Sequence, residues 1–503
     1  MRIRSLVAAM VAASMLGGPP VVAQGSVAQK TAKGRTLSIV VKSLPKGAKA
    51  PLKVTGPHKY HRTARVNGKW TLKRLAPGRY KVRAKSVIVQ GDTWKPKVTP
   101  KSVRITNRGR KVTVTYSGPT SPVQPGLRPA VLPETISAGR DHTCAIDTLG
   151  RPWCWGNGTF GQLGDGDMTG TDKWQPVAVT GSLTATTISA GGFHTCALVG
   201  NQVAWCWGDD NSGQLGDNNP TTFTSYQPRM VAGNHAFKAI SAGGEHTCAL
   251  DSAGKAWCWG SDDHGQVGDG NADQSDKYAP VAVAGDHTFA TISAGWAATC
   301  AVDTAGHAWC WGEDQAGQLG DGDTGGTSKS EPVAVAGGHS FATISAGAGH
   351  TCALDVTGAA WCWGEDQFKQ TGGSSLNVSP AIVHYEPVAV SGGHTFATIS
   401  AGAYHNCAVD TSSHAWCWGE NQDGRLGDGD TTGTDSLDPL AVSGGHTFAA
   451  ISAGDRHTCA IDTSGHAWSW GWFYQGRLGL GEDVKDHQYA PAAVLGGHTY
   501  RQP

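Results

Sequence analysis

Hydrophobic and polar positions follow one pattern that recurs seven times between residue 134 and the end of the chain. A typical copy reads Ile-Ser-Ala-Gly, then His-Thr-Cys-Ala, then Trp-Cys-Trp-Gly. The copies begin at Ile136, Ile188, Ile240, Ile292, Ile344, Ile399 and Ile451. Successive starts lie 52 residues apart, with one interval of 55. A fixed period of this size predicts one supersecondary unit stacked on copies of itself.

Each copy is predicted to form four short strands, which in copy four are residues 289–293, 299–303, 307–311 and 332–335. Four strands in about 50 residues are typical of a propeller blade. The chain enters midway through a unit and ends soon after residues 491–495. We therefore expect a strand from one end to complete a sheet begun at the other, which closes a seven-bladed β-propeller over residues 134–503.

Residues 24–117 show a different pattern, in which apolar and polar positions alternate in runs such as 37–41, 80–84 and 111–116. Alternation of apolar and polar residues with a period of two, together with β-branched residues, predicts strands with one solvent-exposed face. We predict a small β-sandwich of immunoglobulin or transthyretin type, so the whole chain is all-β. Residues 118–133 contain five prolines and are predicted to be an extended linker.

The first 23 residues are predicted to be a secretory signal peptide. Arg2 and Arg4 precede a short apolar run over residues 6–16, and small residues follow it. The run is too short to span a bilayer, and no other segment is apolar enough to do so. We expect a secreted or cell-surface protein without a transmembrane segment, and a monomer.

Charge divides the chain into two parts of opposite sign. Residues 30–117 hold 24 Lys and Arg against a single acid, Asp92, whereas residues 118–503 hold 15 against 39 acids. The basic domain could attach the protein to anionic cell-wall polymers through residues 30–117. Nucleic acid would also fit the charge, but export makes it an unexpected partner.

All 13 cysteines lie in the repeats, and twelve of them form pairs ten residues apart. A hairpin centred on the turn between them places each pair opposite one another at a distance that a disulfide can bridge. The predicted disulfides are Cys144–Cys154, Cys196–Cys206, Cys248–Cys258, Cys300–Cys310, Cys352–Cys362 and Cys407–Cys417. Buried free thiols are the alternative. Cys459 has Ser469 at the partner position and is expected to be a buried thiol.

The repeats resemble the regulator of chromosome condensation repeat family. The resemblance rests on Ile-Ser-Ala-Gly, His-Thr-Cys-Ala, Trp-Cys-Trp-Gly and Gly-Gln-Leu-Gly-Asp-Gly at 161–166 and 317–322. It covers about three quarters of the chain and implies a seven-bladed propeller. A secreted bacterial propeller of this repeat type inhibits β-lactamases, which implies that one face of such a scaffold can bind a protein tightly.

No enzyme motif stands out. The repeated histidines, His142, His194, His246, His350, His405 and His457, are expected to satisfy buried backbone groups rather than to bind a metal, because copy four has Ala298 there. The acidic loops 165–167, 321–323 and 428–430 are expected to be solvated. Calcium is the weaker alternative, since these loops lack the ligand spacing of a calcium loop. We expect no catalytic, cofactor-binding or metal-binding residues.

Aromatic residues that break the repeat are the candidates for partner binding. They are Phe193, Trp296, Tyr404, Trp472, Phe473 and Tyr474. Aromatics on loop tips are favoured in binding hot spots, although packing between neighbouring loops is the alternative. The sequence therefore predicts an exported, non-enzymatic scaffold that binds a protein through variable loops on one propeller face. The alternatives are an envelope-attachment protein held by its basic domain and a secreted enzyme inhibitor.

Overall fold

The computed structural model describes residues 36–42, 49–66, 69–85, 87–89, 92–106, 110–117, 134–271, 273–373 and 383–503. The predicted signal peptide and the predicted linker at 118–133 lie outside these residues. The chain divides into two compact units, Met1–Gln124 and Pro125–Pro503. In the described part, no helix is long and apolar enough to cross a membrane.

The first unit consists of two sheets that share one apolar core. Its described strands are β1 (Leu37–Lys42), β2 (Ala50–Thr55), β3 (His61–Val66), β4 (Lys69–Leu72), β5 (Gly78–Ala84), β6 (Val87–Val89), β7 (Asp92–Thr99), β8 (Ser102–Ile105) and β9 (Arg110–Ser117). One sheet has the order β4-β1-β9-β7-β6 and the other β3-β2-β5-β8. Alternate residues such as Ile39, Val54 and Val114 are buried between them, because successive side chains of a strand point to opposite faces.

The second unit contains seven four-stranded antiparallel sheets among its described residues, each made of consecutive strands. Copies one to three comprise β10 (Ile136–Ala138), β11 (His142–Ile146), β12 (Pro152–Gly156), β13 (Lys173–Ala178); β14 (Ala185–Ala190), β15 (His194–Val199), β16 (Val203–Asp209), β17 (Thr224–Met230); and β18 (Phe237–Ala242), β19 (His246–Asp251), β20 (Ala256–Gly260), β21 (Lys277–Ala282). Copies four and five comprise β22 (Phe289–Ala294), β23 (Ala298–Asp303), β24 (Ala308–Gly312), β25 (Lys329–Ala334); and β26 (Phe341–Ala346), β27 (His350–Asp355), β28 (Ala360–Glu365), β29 (Val383–Ala389). Copies six and seven comprise β30 (Phe396–Ala401), β31 (His405–Asp410), β32 (Ala415–Gly419), β33 (Ser436–Ala441); and β34 (Phe448–Ala453), β35 (His457–Asp462), β36 (Ala467–Gly471), β37 (Gln488–Ala493). Short 3-10 turns cover Ala336–Gly338, Ser391–Gly393, Ser443–Gly445 and Tyr474–Gly476.

The hairpin between the second and third strands sets the register of each sheet. In copy four, Cys300 lies opposite Cys310, with their Cα atoms 4.1 Å apart, and the two sulfurs form a disulfide. The structure contains six such disulfides. The free Cys459 is buried opposite Ser469, and burial raises the pKa of its thiol to about 11.

The core between neighbouring sheets is built on these disulfides. Trp207 of copy two is fully buried and packs with Cys144 and Cys154 of copy one. Its indole N–H donates to the carbonyl of Gln162 at 2.9 Å, so the only polar atom of the side chain is satisfied. The same indole hydrogen bond recurs for Trp259, Trp311, Trp363, Trp418 and Trp470, which explains why the chain repeats both Trp and Cys. Trp155 is the exception, because it packs on the free Cys459 and its N–H has no partner among the described residues.

Two glycines of each repeat are required by close approaches of the backbone. A Cβ on Gly139 would lie 2.4 Å from the carbonyl oxygen of Gly191 in the next sheet. Gly156 has φ +108° and lies against the backbone of Asp141 and His142. A side chain at either site would separate sheets or strands that now touch.

The sheets contact one another in cyclic order, and β10 of the first sheet contacts β34 of the last. A ring of hydrogen bonds follows this order, because each Ile-Ser-Ala-Gly serine accepts from the alanine amide of the next copy. Ser137 Oγ accepts from Ala190 N at 3.0 Å, and Ser452 Oγ accepts from Ala138 N across the junction of the last and first copies at 3.0 Å.

Closure at the chain ends differs from the expected one. No complete strand crosses over, since each sheet consists of four consecutive strands of the described chain. Instead, Tyr500 forms a β-bridge with Asp147, and Arg501 N donates to the carbonyl of Ile146 at 2.8 Å. The reason is that β10 has only three residues, whereas β22 has six. The C-terminal segment supplies the residues that the first sheet lacks.

Candidate functional site

The connections of each sheet emerge at two opposite ends. The loops between the first and second strands and between the third and fourth strands lie at one end, because consecutive strands are antiparallel. We call this end the loop face, and the end with the tight turns between the second and third strands the hairpin face. At the centre of the loop face, the close-packed glycines leave a cavity of about 100 Å³. Arg140, Trp296 and Asp455 also line it.

A first aromatic cluster covers this cavity and is assembled from copies one, two and four. The guanidinium carbon of Arg140 lies 4.8 Å from the ring centre of Phe193 and 5.5 Å from that of Trp296. Phe193 also packs edge-on against Phe160, with ring centres 5.2 Å apart. The Trp296 side chain remains 40 % exposed. We call Arg140, Phe160, Phe193 and Trp296 the Arg140 cluster.

A second cluster lies where the last copy meets the first. The ring of Trp472 lies 4.7 Å from the guanidinium carbon of Arg456 and 4.2 Å from that of Arg477. Tyr474 stacks on Trp472 at 5.5 Å and is 53 % exposed. We call Arg456, Trp472, Tyr474 and Arg477 the Trp472 cluster. Cation–π contacts of this kind hold the aromatic rings in fixed orientations.

The other two predicted aromatics are half-buried against neighbouring loops. Tyr404 packs edge-on against Phe368, with ring centres 5.4 Å apart. Phe473 packs against His487 at 5.7 Å. All six candidates therefore lie on the loop face, but only Trp296 and Tyr474 present a large exposed aromatic surface.

The loop face carries carboxylates among its aromatics. Burial raises the pKa of Glu245, and the neighbouring Asp209 and Asp263 raise it further. Burial also raises the pKa of the Tyr404 hydroxyl, with a further contribution from Asp455. Negative charges are therefore close enough to repel one another. A partner that brings positive charge would relieve this repulsion.

The repeated histidines bond side chains of the next copy, so the expectation that they satisfy backbone groups is wrong. His142 Nε2 lies 2.8 Å from Thr195 Oγ1, and the same contact recurs for His194, His246, His405 and His457. Thr195 Oγ1 donates to the carbonyl of Gln162. The hydroxyl hydrogen is thereby used, and the histidine must be the donor to the threonine oxygen.

A possible cation site lies in copy four, where carboxylate oxygens of Asp314, Asp321 and Asp323 fall within 4.8 Å of one another. The ammonium of Lys329 lies 2.9 Å from Asp323 and 3.9 Å from Asp321. Burial raises the pKa of Asp314 to about 6, and Asp321 adds to the effect. The lysine supplies the positive charge that calcium would bring, so these residues fit a calcium ion poorly.

Two sets of residues were missed by the sequence reasoning. Arg477 is fully buried and joins the last copy to Asp141 of the first through an ion pair of 2.8 Å. His498 and Tyr500 pack on Trp153 and Trp155 of the first sheet. The signal was present, because Gly-Gly-His-Thr-Tyr at 496–500 matches the Gly-Gly-His-Thr-Phe that precedes two other copies.

Comparison with known proteins identifies the repeats. The RCC1-like domain matches residues 205–502, and regulator of chromosome condensation (RCC1) repeats match residues 150–198, 134–162 and 185–214. The ultraviolet-B receptor UVR8 of Arabidopsis thaliana is 30 % identical over 312 residues, which cover 61 % of this chain and 69 % of the receptor. The human E3 ubiquitin-protein ligase HERC2 is 28 % identical over 345 residues, which are 65 % of this chain but only 7 % of the ligase.

Solved structures show the same fold. Yeast RCC1 (Prp20), in a crystal structure with Kap60, aligns with a TM-score of 0.62 at 21 % identity. The alignment covers 74 % of this chain and 87 % of that protein. At this identity, the similarity extends to the propeller fold alone.

Proposed function

Because the chain belongs to the RCC1-like repeat family, we propose that it is a non-enzymatic binding protein whose loop face holds a protein partner. The relatives include proteins named as a light receptor, a ubiquitin ligase and a chromosome condensation regulator. Such different roles on similar repeats mean that the repeats specify the fold, while residues outside the repeat pattern specify the partner.

The observation that carries the proposal is the pair of arginine–aromatic clusters on the loop face. Trp, Tyr and Arg are the residues most enriched in binding hot spots. Here the arginines fix the rings of Phe193, Trp296 and Trp472 before any partner arrives. A rigid, partly exposed aromatic surface loses little conformational entropy when it is covered.

We extend the proposal to the whole chain. The seven sheets act as blades of one closed propeller, the two sheets of the first unit form a β-sandwich, and the protein is exported. Support for closure comes from the bonds between the last and first copies at Ser452–Ala138 and His457–Thr143. Support for export comes from the six disulfides, because such bonds persist in oxidising compartments.

Affinity capture with loop-face variants tests the binding role. The double variant Trp296→Ala with Tyr474→Ala removes the most exposed ring of each of the two clusters. We expect it to weaken capture of the specific partner more than tenfold, since a hot-spot residue contributes about 2 kcal/mol or more. The matched control is Leu149→Ala with Val356→Ala, which removes two exposed apolar side chains from the hairpin face. Equal capture by wild type and both variants would refute the proposal.

A further inference from the structure

The outer face of the β3-β2-β5-β8 sheet in the first unit is a continuous basic surface. Along β5, Tyr80 and Val82 are buried, whereas Arg79, Lys81 and Arg83 are exposed. On the other strands of this sheet, the register places the exposed Lys53, Arg65 and Arg104 on the same face. We call these six residues, Lys53, Arg65, Arg79, Lys81, Arg83 and Arg104, the basic sheet face.

The register of the sheet brings like charges together. Lys53 lies directly opposite Arg83, and Arg79 lies directly opposite Arg104. Directly opposed side chains in an antiparallel pair have Cβ atoms about 5 Å apart, and like charges there destabilise the sheet. Along β5, successive exposed residues are two positions apart, so their Cα atoms are separated by about 6.8 Å.

Nothing within the first unit neutralises this surface. Asp92 is the single acidic residue among residues 1–124, and it belongs to β7 of the other sheet. Among the described residues, no ion pair involves any member of the basic sheet face. Within the first unit, the repulsion between these like charges is therefore not compensated.

We propose that the basic sheet face binds a linear phosphate-bearing polymer. Four of its six cations are arginines, whose planar forks match phosphate oxygens. The other described positions of this face include the polar residues Thr55, Thr63 and Ser102, and Pro51 lies opposite Arg65. A surface with no exposed Phe, Tyr or Trp offers no platform for stacking bases and no apolar wedge for a membrane. A flexible polyanion can follow the cations along and across the strands.

Binding of the full-length protein to poly(glycerol phosphate), measured by fluorescence anisotropy at about 50 and 200 mM salt, tests the proposal. The test variant R79Q/K81Q/R83Q removes three charges from the basic sheet face. The matched control K69Q/K97Q/K111Q removes three exposed charges from the other sheet. We expect at least tenfold weaker binding by the test variant at about 50 mM salt and less than twofold weakening by the control. The logarithm of the binding constant decreases linearly with the logarithm of the salt concentration. The magnitude of this slope should be smaller by about 2 in the test variant, since each phosphate contact contributes about 0.7.

Thermal unfolding separates loss of binding from loss of fold. The test variant relieves the opposed charges, so its melting temperature should be equal to or higher than that of wild type. Equal weakening by the two variants, or no binding by wild type, would overturn the proposal. Tighter binding of duplex DNA than of poly(glycerol phosphate) would overturn it as well, and would make nucleic acid the ligand. These outcomes leave the loop-face proposal untouched, because that surface lies in the other unit.

Discussion

The repeated histidine is held in one protonation state by its neighbours. Its Nε2 atom donates to a threonine of the next copy, and its Nδ1 atom is buried without a partner in copies one, two and three. The histidine of copy five faces Asn406 of copy six instead of a threonine. Asn406 keeps both roles, since its Oδ1 accepts from His350 and its Nδ2 donates to the carbonyl of Gln370. A proton added at Nδ1 would place an uncompensated charge in the core.

Because these histidines are buried, we expect the stability of the folded protein to decrease in acid. Burial lowers the pKa of His142, His194 and His246 to about 3, whereas an unfolded histidine titrates near 6.5. The unfolded chain therefore binds more protons below pH 6.5, and stability falls as the pH falls from 6.5 towards 3. Each such histidine contributes up to about 1.4 kcal/mol per pH unit in this range. Asp210, whose pKa burial raises to about 7, works in the opposite direction.

The variant His246→Ala isolates one histidine, and copy four with Ala298 provides a natural precedent for it. We expect the variant to be less stable than wild type at pH 7, because Thr299 loses a donor and a cavity forms. The stability difference should shrink towards pH 4, since the variant no longer has that proton-binding site. Urea unfolding at both pH values measures this. A difference that is the same at pH 7 and pH 4 would show that His246 titrates normally.

Replacing Ser469 by cysteine should create a seventh disulfide, with Cys459 as its partner. The two residues are directly opposed, as the disulfide partners are in other copies, and Cys459 Sγ lies 3.3 Å from Ser469 Oγ. Ser469→Cys should form the bond on oxidative expression and raise stability by at most ~3 kcal/mol, because the closed loop is short. Thiol titration of the unreduced, denatured protein should give one thiol for wild type and none for the variant. Two titratable thiols would contradict the register.

At the scale of elements, the sequence was most informative about hairpins. The Cys spacing and the turn between the cysteines predicted the pair Cys300–Cys310, which occurs, and the same register places Trp309 opposite Ala301. The fourth strand of copy four begins at Lys329 rather than at the predicted residue 332. A bulge shifts the register between Cys310 and Gly312, and no short-range pattern marks it.

Substitutions of Tyr500, whose side chain is 2 % exposed, test whether the C-terminal segment completes the first sheet. Phe289 occupies the corresponding position in copy four, and the Tyr500 hydroxyl has no partner among the described residues. Tyr500→Ala should lower stability by about 3–5 kcal/mol, as for other large core truncations. Tyr500→Phe should equal or exceed wild type, because it removes an unsatisfied buried hydroxyl. Denaturant unfolding compares the three proteins, and a neutral Tyr500→Ala would show that the segment does not join the first sheet.

At the scale of the whole molecule, the sequence predicted which residues depart from the repeat but not which of them meet. Trp296 and Tyr474 were found because they interrupt a regular pattern. The convergence of Arg140, Phe193 and Trp296 depends on the cyclic order of the sheets, which joins residues from copies one, two and four. The buried Arg477–Asp141 pair was also invisible, because its partners are 336 positions apart in the sequence.

The most direct test of the account asks which face touches the partner. A photo-cross-linking amino acid at position 296 reports on the loop face, and one at position 356 reports on the hairpin face. Both native side chains are exposed, at 40 % and 44 %. If the loop face binds the partner, position 296 forms an adduct with the captured protein and position 356 forms none. Adducts from position 356 alone, or equal adducts from both, would contradict the account.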